Sequence, residues 1–168
     1  MENAITFQLK EKKFSLTDDY RVYDEADKLV YRVKGSFFSW GDNLSFEDSE
    51  ANERLVIDQK KIALRPTYIV YRGGKKIAKI KKKIGLLKQR LEIDLPGGKD
   101  YKVKGNFLDK EFDFYRGRNK VAEVSRAWFS WNDTYGLRVE EAEDYELILA
   151  TVIVIDLLMQ AEEDKDAS

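Results

Sequence analysis

Short aromatic and β-branched runs, separated by polar turn signals, occupy the chain as far as Glu140. Tyr31-Arg32-Val33-Lys34 and Leu91-Glu92-Ile93-Asp94-Leu95 alternate apolar with polar residues, the period of a strand with one buried face. Turn chemistry lies where such strands should meet. Arg72-Gly73-Gly74-Lys75 suits a tight hairpin that needs positive φ, and Gly117-Arg118-Asn119-Lys120 is similar. Asp24 to Asp27 forms a longer version, and Pro96-Gly97-Gly98 breaks the chain before Tyr101-Lys102-Val103. Phe7-Gln8-Leu9 and Arg54-Leu55-Val56-Ile57 supply further strands. The period then changes. Tyr145 to Gln160 is apolar nearly all round and holds no turn residue, the pattern of a helix enclosed on every side. Its valines and isoleucines also admit a strand reading.

The pattern repeats. Tyr20-Arg21-Val22-Tyr23, Tyr68-Ile69-Val70-Tyr71 and Phe112-Asp113-Phe114-Tyr115 each lead through a turn to a second strand. The equivalent positions Val30, Ile77 and Val121 are 47 and 44 residues apart. Each copy continues to an apolar turn: Phe37-Phe38-Ser39-Trp40, Ile84-Gly85-Leu86-Leu87 and Trp128-Phe129-Ser130-Trp131. Three copies at this period mean one repeated supersecondary unit. About a dozen short strands in one domain imply a barrel or sandwich, and closing the sheet would both remove its edges and surround the final helix.

Composition narrows the chemistry. The 168 residues are 43% hydrophobic and 36% charged, suited to a single folded domain over 1–160 followed by an acidic, flexible tail over 161–168. There is no cysteine and no histidine, which removes disulfides, thiolate or imidazole metal sites, and the usual nucleophile–base pairs. No catalytic residue, metal site or cofactor is expected. The segment from Met1 to Lys13 lacks a secretory pattern. The apolar run Leu147 to Met159 is shorter than the roughly 20 residues of a spanning helix. A cytoplasmic protein is the expectation.

Net charge is −1, but it is unevenly spread. The middle unit, Tyr68 to Asp94, carries nine basic and two acidic residues, whereas Tyr20 to Asp48 has four and six and Phe112 to Glu141 has five of each. The shared scaffold does not require this excess. Lys75, Lys79, Lys81, Lys83, Lys88 and Arg90 are therefore the candidate anion-binding residues, with Lys79 and Lys81 on one outward face. A merely solvated strand face is the bland alternative. Nucleic acid is disfavoured because Lys79 to Lys83 holds no aromatic for base stacking.

Other candidates read more simply as structure. Asp156, a lone carboxylate in the apolar run, is expected to reach the segment's exit or to accept hydrogen bonds from a strand or tyrosine. The Phe-Ser-Trp turns are expected to pack rather than to meet a bilayer. Glu140 to Glu146 lacks the glycine turn of an EF-hand and reads as a solvated connection. Gly73-Gly74-Lys75-Lys76 lacks the spacing of a phosphate-binding loop.

Tyr20 to Phe46, Ser125 to Gly136 and Ala150-Thr151-Val152-Ile153-Val154-Ile155-Asp156 together resemble the LURP-one-related proteins. These belong to the tubby C-terminal-like superfamily, alongside the phospholipid scramblases. The resemblance runs from Phe7 to about Met159 and implies a closed barrel of twelve antiparallel strands around a central, hydrophobic C-terminal helix. Tubby proteins bind phosphoinositides through basic surface residues, and scramblases are calcium-dependent and act at membranes. No residue of either set transfers here position by position. The combined expectation is a non-enzymatic cytoplasmic binding module, peripheral at membranes, whose basic middle unit meets an anionic lipid surface or a phosphorylated ligand. A protein–protein or self-association module is the alternative, and a carboxylate-only enzyme is a third reading.

Overall fold

In each of the three repeats the same residue is squeezed out of the strand pairing. Val22 pairs with Tyr31 and Tyr23 with Leu29, which leaves Val30 unmatched. Ile77 is skipped in the same way between Val70/Ala78 and Tyr71/Lys76. Val121 is skipped between Phe114/Ala122 and Tyr115/Lys120. The three positions that align the repeats are thus three β-bulges. A bulge adds local twist and bends the sheet, and three spaced around a circumference help it close.

The computed structural model describes residues 3–10, 20–35, 43–60, 67–83, 90–128 and 134–166, with the backbone alone at Lys83, Arg90 and 160–166. The strands are β1 (Ala4–Lys10), β2 (Tyr20–Asp24), β3 (Leu29–Lys34), β4 (Asn43–Asp48), β5 (Glu53–Gln59) and β6 (Thr67–Arg72). They continue as β7 (Lys75–Lys83), β8 (Arg90–Asp94), β9 (Tyr101–Asn106), β10 (Glu111–Arg116), β11 (Asn119–Ser125) and β12 (Thr134–Glu140). Each pairs antiparallel with its neighbours in sequence, and β1 pairs with β12, so the meander closes into a barrel. Gly73 and Gly74, at φ 55° and 75°, make the tight β6–β7 hairpin in the left-handed region that glycine tolerates.

The helix α1 (Tyr145–Asp166) fills the barrel. Leu147 to Met159 are all buried, and every strand adds a buried apolar side chain, from Leu9 in β1 to Leu137 in β12. The β-branched residues that admitted a strand are helical because the closed sheet leaves no edge for a further strand. The helix also runs beyond Gln160 to Asp166, since Ala161-Glu162-Glu163 are adequate helix formers and no glycine or proline stops them. One end of the barrel, here the base, carries the short hairpins and the helix N-terminus. The other, the rim, is where β1, β3, β5, β7, β9 and β11 finish.

Polar side chains hold the helix at both ends. At the base the acidic segment is an ion-paired plug, not the solvated connection expected. Asp144 accepts the Leu147 amide at 3.1 Å as an N-cap and takes a two-point contact from Arg72 of β6, at 2.8 and 2.9 Å. Arg54 of β5 meets Glu146 at 2.8 Å, joined by the Tyr31 hydroxyl at 3.3 Å. Arg116 of β10 and the Tyr101 hydroxyl of β9 both reach Glu143, each at 2.6 Å. These partners lie far away in sequence, so local pattern did not reveal them.

Toward the rim, Asp156 is fully buried and accepts from Lys110 and from the Tyr135 hydroxyl of β12. The structural reading of this carboxylate therefore stands, with a lysine added. Lys110 itself is buried and sits at φ 57° in the β9–β10 turn.

Two outcomes follow from these contacts. Lys110→Met leaves Asp156 charged without its cation and should cost about 3–5 kcal/mol. Adding Asp156→Asn removes the charge, keeps an acceptor for Tyr135, and should recover most of that loss in urea unfolding midpoints. Burial raises the phenol of Tyr31, with the Glu146 charge adding to it, and burial also raises Tyr101, with the Glu143 hydrogen bond adding. Burial pushes Tyr68 up to about 12 from its ordinary 10.0. Native phenols then keep protons that unfolded ones release. The stability these tyrosines contribute is therefore complete below about pH 10 and is lost as pH rises through the folded values, by at most about 1.4 kcal/mol per pH unit for each group. Alkaline unfolding monitored by phenolate absorbance should show this decline, made shallower by Tyr68→Phe.

Candidate functional site

The basic middle unit, Tyr68 to Asp94, is β6, β7 and β8, and its charged wall continues into β9. Ala78 and Ile80 are fully buried, which turns Lys79 and Lys81 to the outside by strand alternation, as expected. On β8, Leu91 and Ile93 are buried, so Glu92 and Asp94 share that outer face. Lys102 and Lys104 of β9 are exposed there too, since Tyr101 and Val103 point inward.

Register decides which of these charges are matched. Lys79 lies opposite Asp94, Lys81 opposite Glu92, and Glu92 opposite Lys102. The Lys81 ammonium contacts the Asp94 carboxylate at 2.6 Å, and that hydrogen bond raises its pKa. These rows alternate in sign and hold themselves together. The last row toward the rim differs. Lys83 pairs with Arg90, Arg90 pairs with Lys104, and Lys104 is followed in the row by Asp113 of β10. Three cationic positions stand side by side on neighbouring strands, spanning about 10 Å at the ordinary strand spacing. Like charges directly opposite each other destabilise a sheet. Lys104 also lies over the Tyr115 ring, 5.4 Å from its centroid.

The six expected site residues are therefore not one cluster. Lys75 begins β7 at the base, about 26 Å along the strand from Lys83 at the rim. Lys79 and Lys81 occupy complementary rows. Lys83 and Arg90 fall together, and Lys88 lies outside the described residues. Lys104 was missing from the set: its basic neighbourhood was visible in sequence, but its place beside Arg90 depends on register.

A surface groove of about 370 Å³ adjoins Lys104, lined also by Glu111, Asp113, Glu123 and Trp128. Its carboxylates are all engaged. Glu111 accepts from the Ser125 hydroxyl and the Arg126 amide, both at 2.8 Å. Asp113 meets Lys120 at 3.5 Å and the Tyr115 hydroxyl at 3.2 Å. Glu123 pairs with Lys120 and, at 3.5 Å, with Arg138. They serve as turn and ion-pair acceptors rather than as an acid–base couple. Among the described residues no group of three or more carboxylates is placed to hold a metal ion, and no helix is long and apolar enough to cross a membrane. Of the Phe-Ser-Trp turns only Trp128 is described; 36–42, 84–89 and 129–133 lie outside.

Known proteins with this arrangement complete the picture. The chain is 33% identical to the YxjI protein of Bacillus subtilis (strain 168), across 94% of this chain and 95% of that one. It is 24% identical to protein LURP-one-related 10 of Arabidopsis thaliana, across 86% and 85% of the two chains. An X-ray structure of an Arabidopsis thaliana protein shares the fold at a TM-score of 0.69 and 20% identity, covering 92% of this chain and 90% of that one. Residues 5–156 match the LURP-one-related family as a whole, and with the closed barrel and central helix they make this chain a member of that family.

Proposed function

We propose that the protein is a non-enzymatic docking module whose barrel wall binds the anionic headgroups of phospholipids at a cytoplasmic leaflet. The observation that carries this reading is the like-charged row Lys83–Arg90–Lys104. The β7–β9 wall matches lysine to carboxylate at Lys79–Asp94 and Lys81–Glu92–Lys102, yet sets three cations abreast in its last row, as the sheet also does at Lys10–Arg21–Arg32. An anion bound between Lys83 and Arg90, the pair farther from the Asp113 that faces Lys104, would relieve their repulsion. At the base, the β2–β3 and β4–β5 turns carry Asp24, Glu25, Asp27, Asp48 and Glu50, which an anionic surface would repel. Lys28, Lys75, Lys99 and Arg118 are interspersed with them rather than set in a row.

Co-sedimentation with phosphatidylcholine vesicles, with and without phosphatidylserine, tests this. Binding is expected only with the anionic lipid and should weaken as salt rises. At about 1 kcal/mol per cation, the triple reversal Lys83→Glu, Arg90→Glu and Lys104→Glu should weaken it by about 100-fold or more. Lys75→Glu, at the far end of β7, should change it less than about threefold, since charges beyond a Debye length are screened. Absence of binding at low salt, or its survival in the triple variant, overturns the proposal. The opposed charges of base and rim also suit head-to-tail self-association, and light scattering should then show oligomers that dissociate as salt rises.

A further inference from the structure

Two large hydrophobic side chains stand exposed among the described residues: Leu108, 49% exposed, and Trp128, 38% exposed. Both are at the rim. Leu108 lies in the turn between β9 and β10, and Trp128 follows the end of β11. The described turns at the base, by contrast, show no exposed large hydrophobic side chain: their one leucine, Leu95, packs against the core.

Each of the two is held out on a fixed support. In the β9–β10 turn, Phe107 is fully buried and Lys110 is folded inward onto Asp156, so both flanks of the turn are anchored inside the barrel. The Asp109 amide donates to the Asn106 side chain at 3.1 Å, which closes the turn and leaves Leu108 at its tip. Gly105 lets this turn approach its neighbour closely, because a Cβ there would fall 2.4 Å from the Glu111 carbonyl oxygen. Before Trp128, Glu111 gathers the Ser125 hydroxyl and the Arg126 and Ala127 amides onto one carboxylate oxygen. Arg138 sits 5.8 Å from the centroid of the Trp128 ring and braces it.

These apolar tips adjoin the cationic row. Lys104 and Trp128 line the same groove, and Lys104 is in register with Arg90 and Lys83. Of the nearby carboxylates, Asp113 lies opposite Lys104 and meets Lys120, Glu123 is matched by Lys120 and Arg138, and Asp109 beside Leu108 is tied to the Asn106 side chain. Cations in a row beside projecting tryptophan and leucine complement one kind of surface: anionic headgroups lying over hydrocarbon.

We infer that the barrel docks on an anionic bilayer rim-first, with Leu108 and Trp128 entering the interface while Lys83, Arg90 and Lys104 meet the headgroups. This rests on the headgroup reading above and goes beyond it: the site is an insertion edge rather than a flat charged wall. A soluble phosphorylated ligand would use the cations and leave the two apolar tips in water.

The test uses the full chain carrying Trp40→Phe and Trp131→Phe, so that Trp128 is its one tryptophan, with phosphatidylcholine–phosphatidylserine vesicles containing brominated acyl chains. Binding should quench Trp128 emission. Leu108→Ala should weaken binding about fivefold from lost apolar burial while leaving its salt dependence unchanged, and Leu108→Trp should strengthen it by a similar factor. The gain in Leu108→Trp cannot come from misfolding. If vesicles bind in a salt-dependent manner but Trp128 is not quenched and both Leu108 variants behave as the parent, rim-first insertion is wrong and headgroup binding by the wall stands. If no variant binds anionic vesicles at low salt, the headgroup reading itself falls and this inference falls with it.

Discussion

A helix that is apolar on all faces has one stable environment in water, the inside of something closed. That constraint organises the molecule. The sheet cannot remain open, because Leu147 to Met159 need cover on every side, and it closes where β1 meets β12. Closure also removes the free strand edges that a dozen exposed strands would otherwise offer for aggregation. Besides a fourth bulge at Arg54 of β5, the three repeat bulges supply bend at matched intervals, so the repeat in the sequence is a repeat in curvature as well as in strands. With the interior occupied by side chains, the outer wall and the two ends are the surfaces that face solvent.

The two ends hold the helix by different means. At the base, Arg54, Arg72 and Arg116 from three strands meet the carboxylates of Glu143, Asp144 and Glu146. The arrangement also suits the helix dipole, which favours negative charge at its N-terminus. Toward the rim, the buried pair of Lys110 and Asp156 ties the helix to the β9–β10 turn, and the Tyr135 hydroxyl ties it to β12. A buried ion pair adds little net stability against a hydrophobic replacement, but it admits only one depth of insertion, since any slip along the axis would strand a charge in hydrocarbon. It therefore acts chiefly on specificity.

Most of the fold was legible because it rests on local signals. Alternation in Leu91 to Leu95 and the glycine pair at Gly73 and Gly74 mark strand and turn without outside help, and the change of period at Tyr145 marks the helix. The twelve-strand count came from family resemblance, not from periodicity. The site was legible only in part. Charge counting found the basic unit, but it placed Lys75 and Lys83 in one candidate set, although they begin and end β7 at opposite ends of the barrel. It left out Lys104, which faces Arg90 across a strand boundary that a short sequence window does not span. Lys110 was overlooked for a similar reason: a buried lysine in a left-handed turn has no periodic signature. The acidic run before the helix looked solvated because its arginine partners lie in strands far earlier in the chain.

The order of the segments has a consequence for how the molecule is made. The shared core of all twelve strands is the helix that follows them, so a nascent chain synthesised only through Glu140 holds a sheet with nothing to close around. Neighbouring hairpins can pair as they emerge, yet their inward faces stay wet until the last segment arrives. Completion thus waits until the helix itself has been made, and the apolar lining is exposed to chaperones and to other nascent chains throughout that interval.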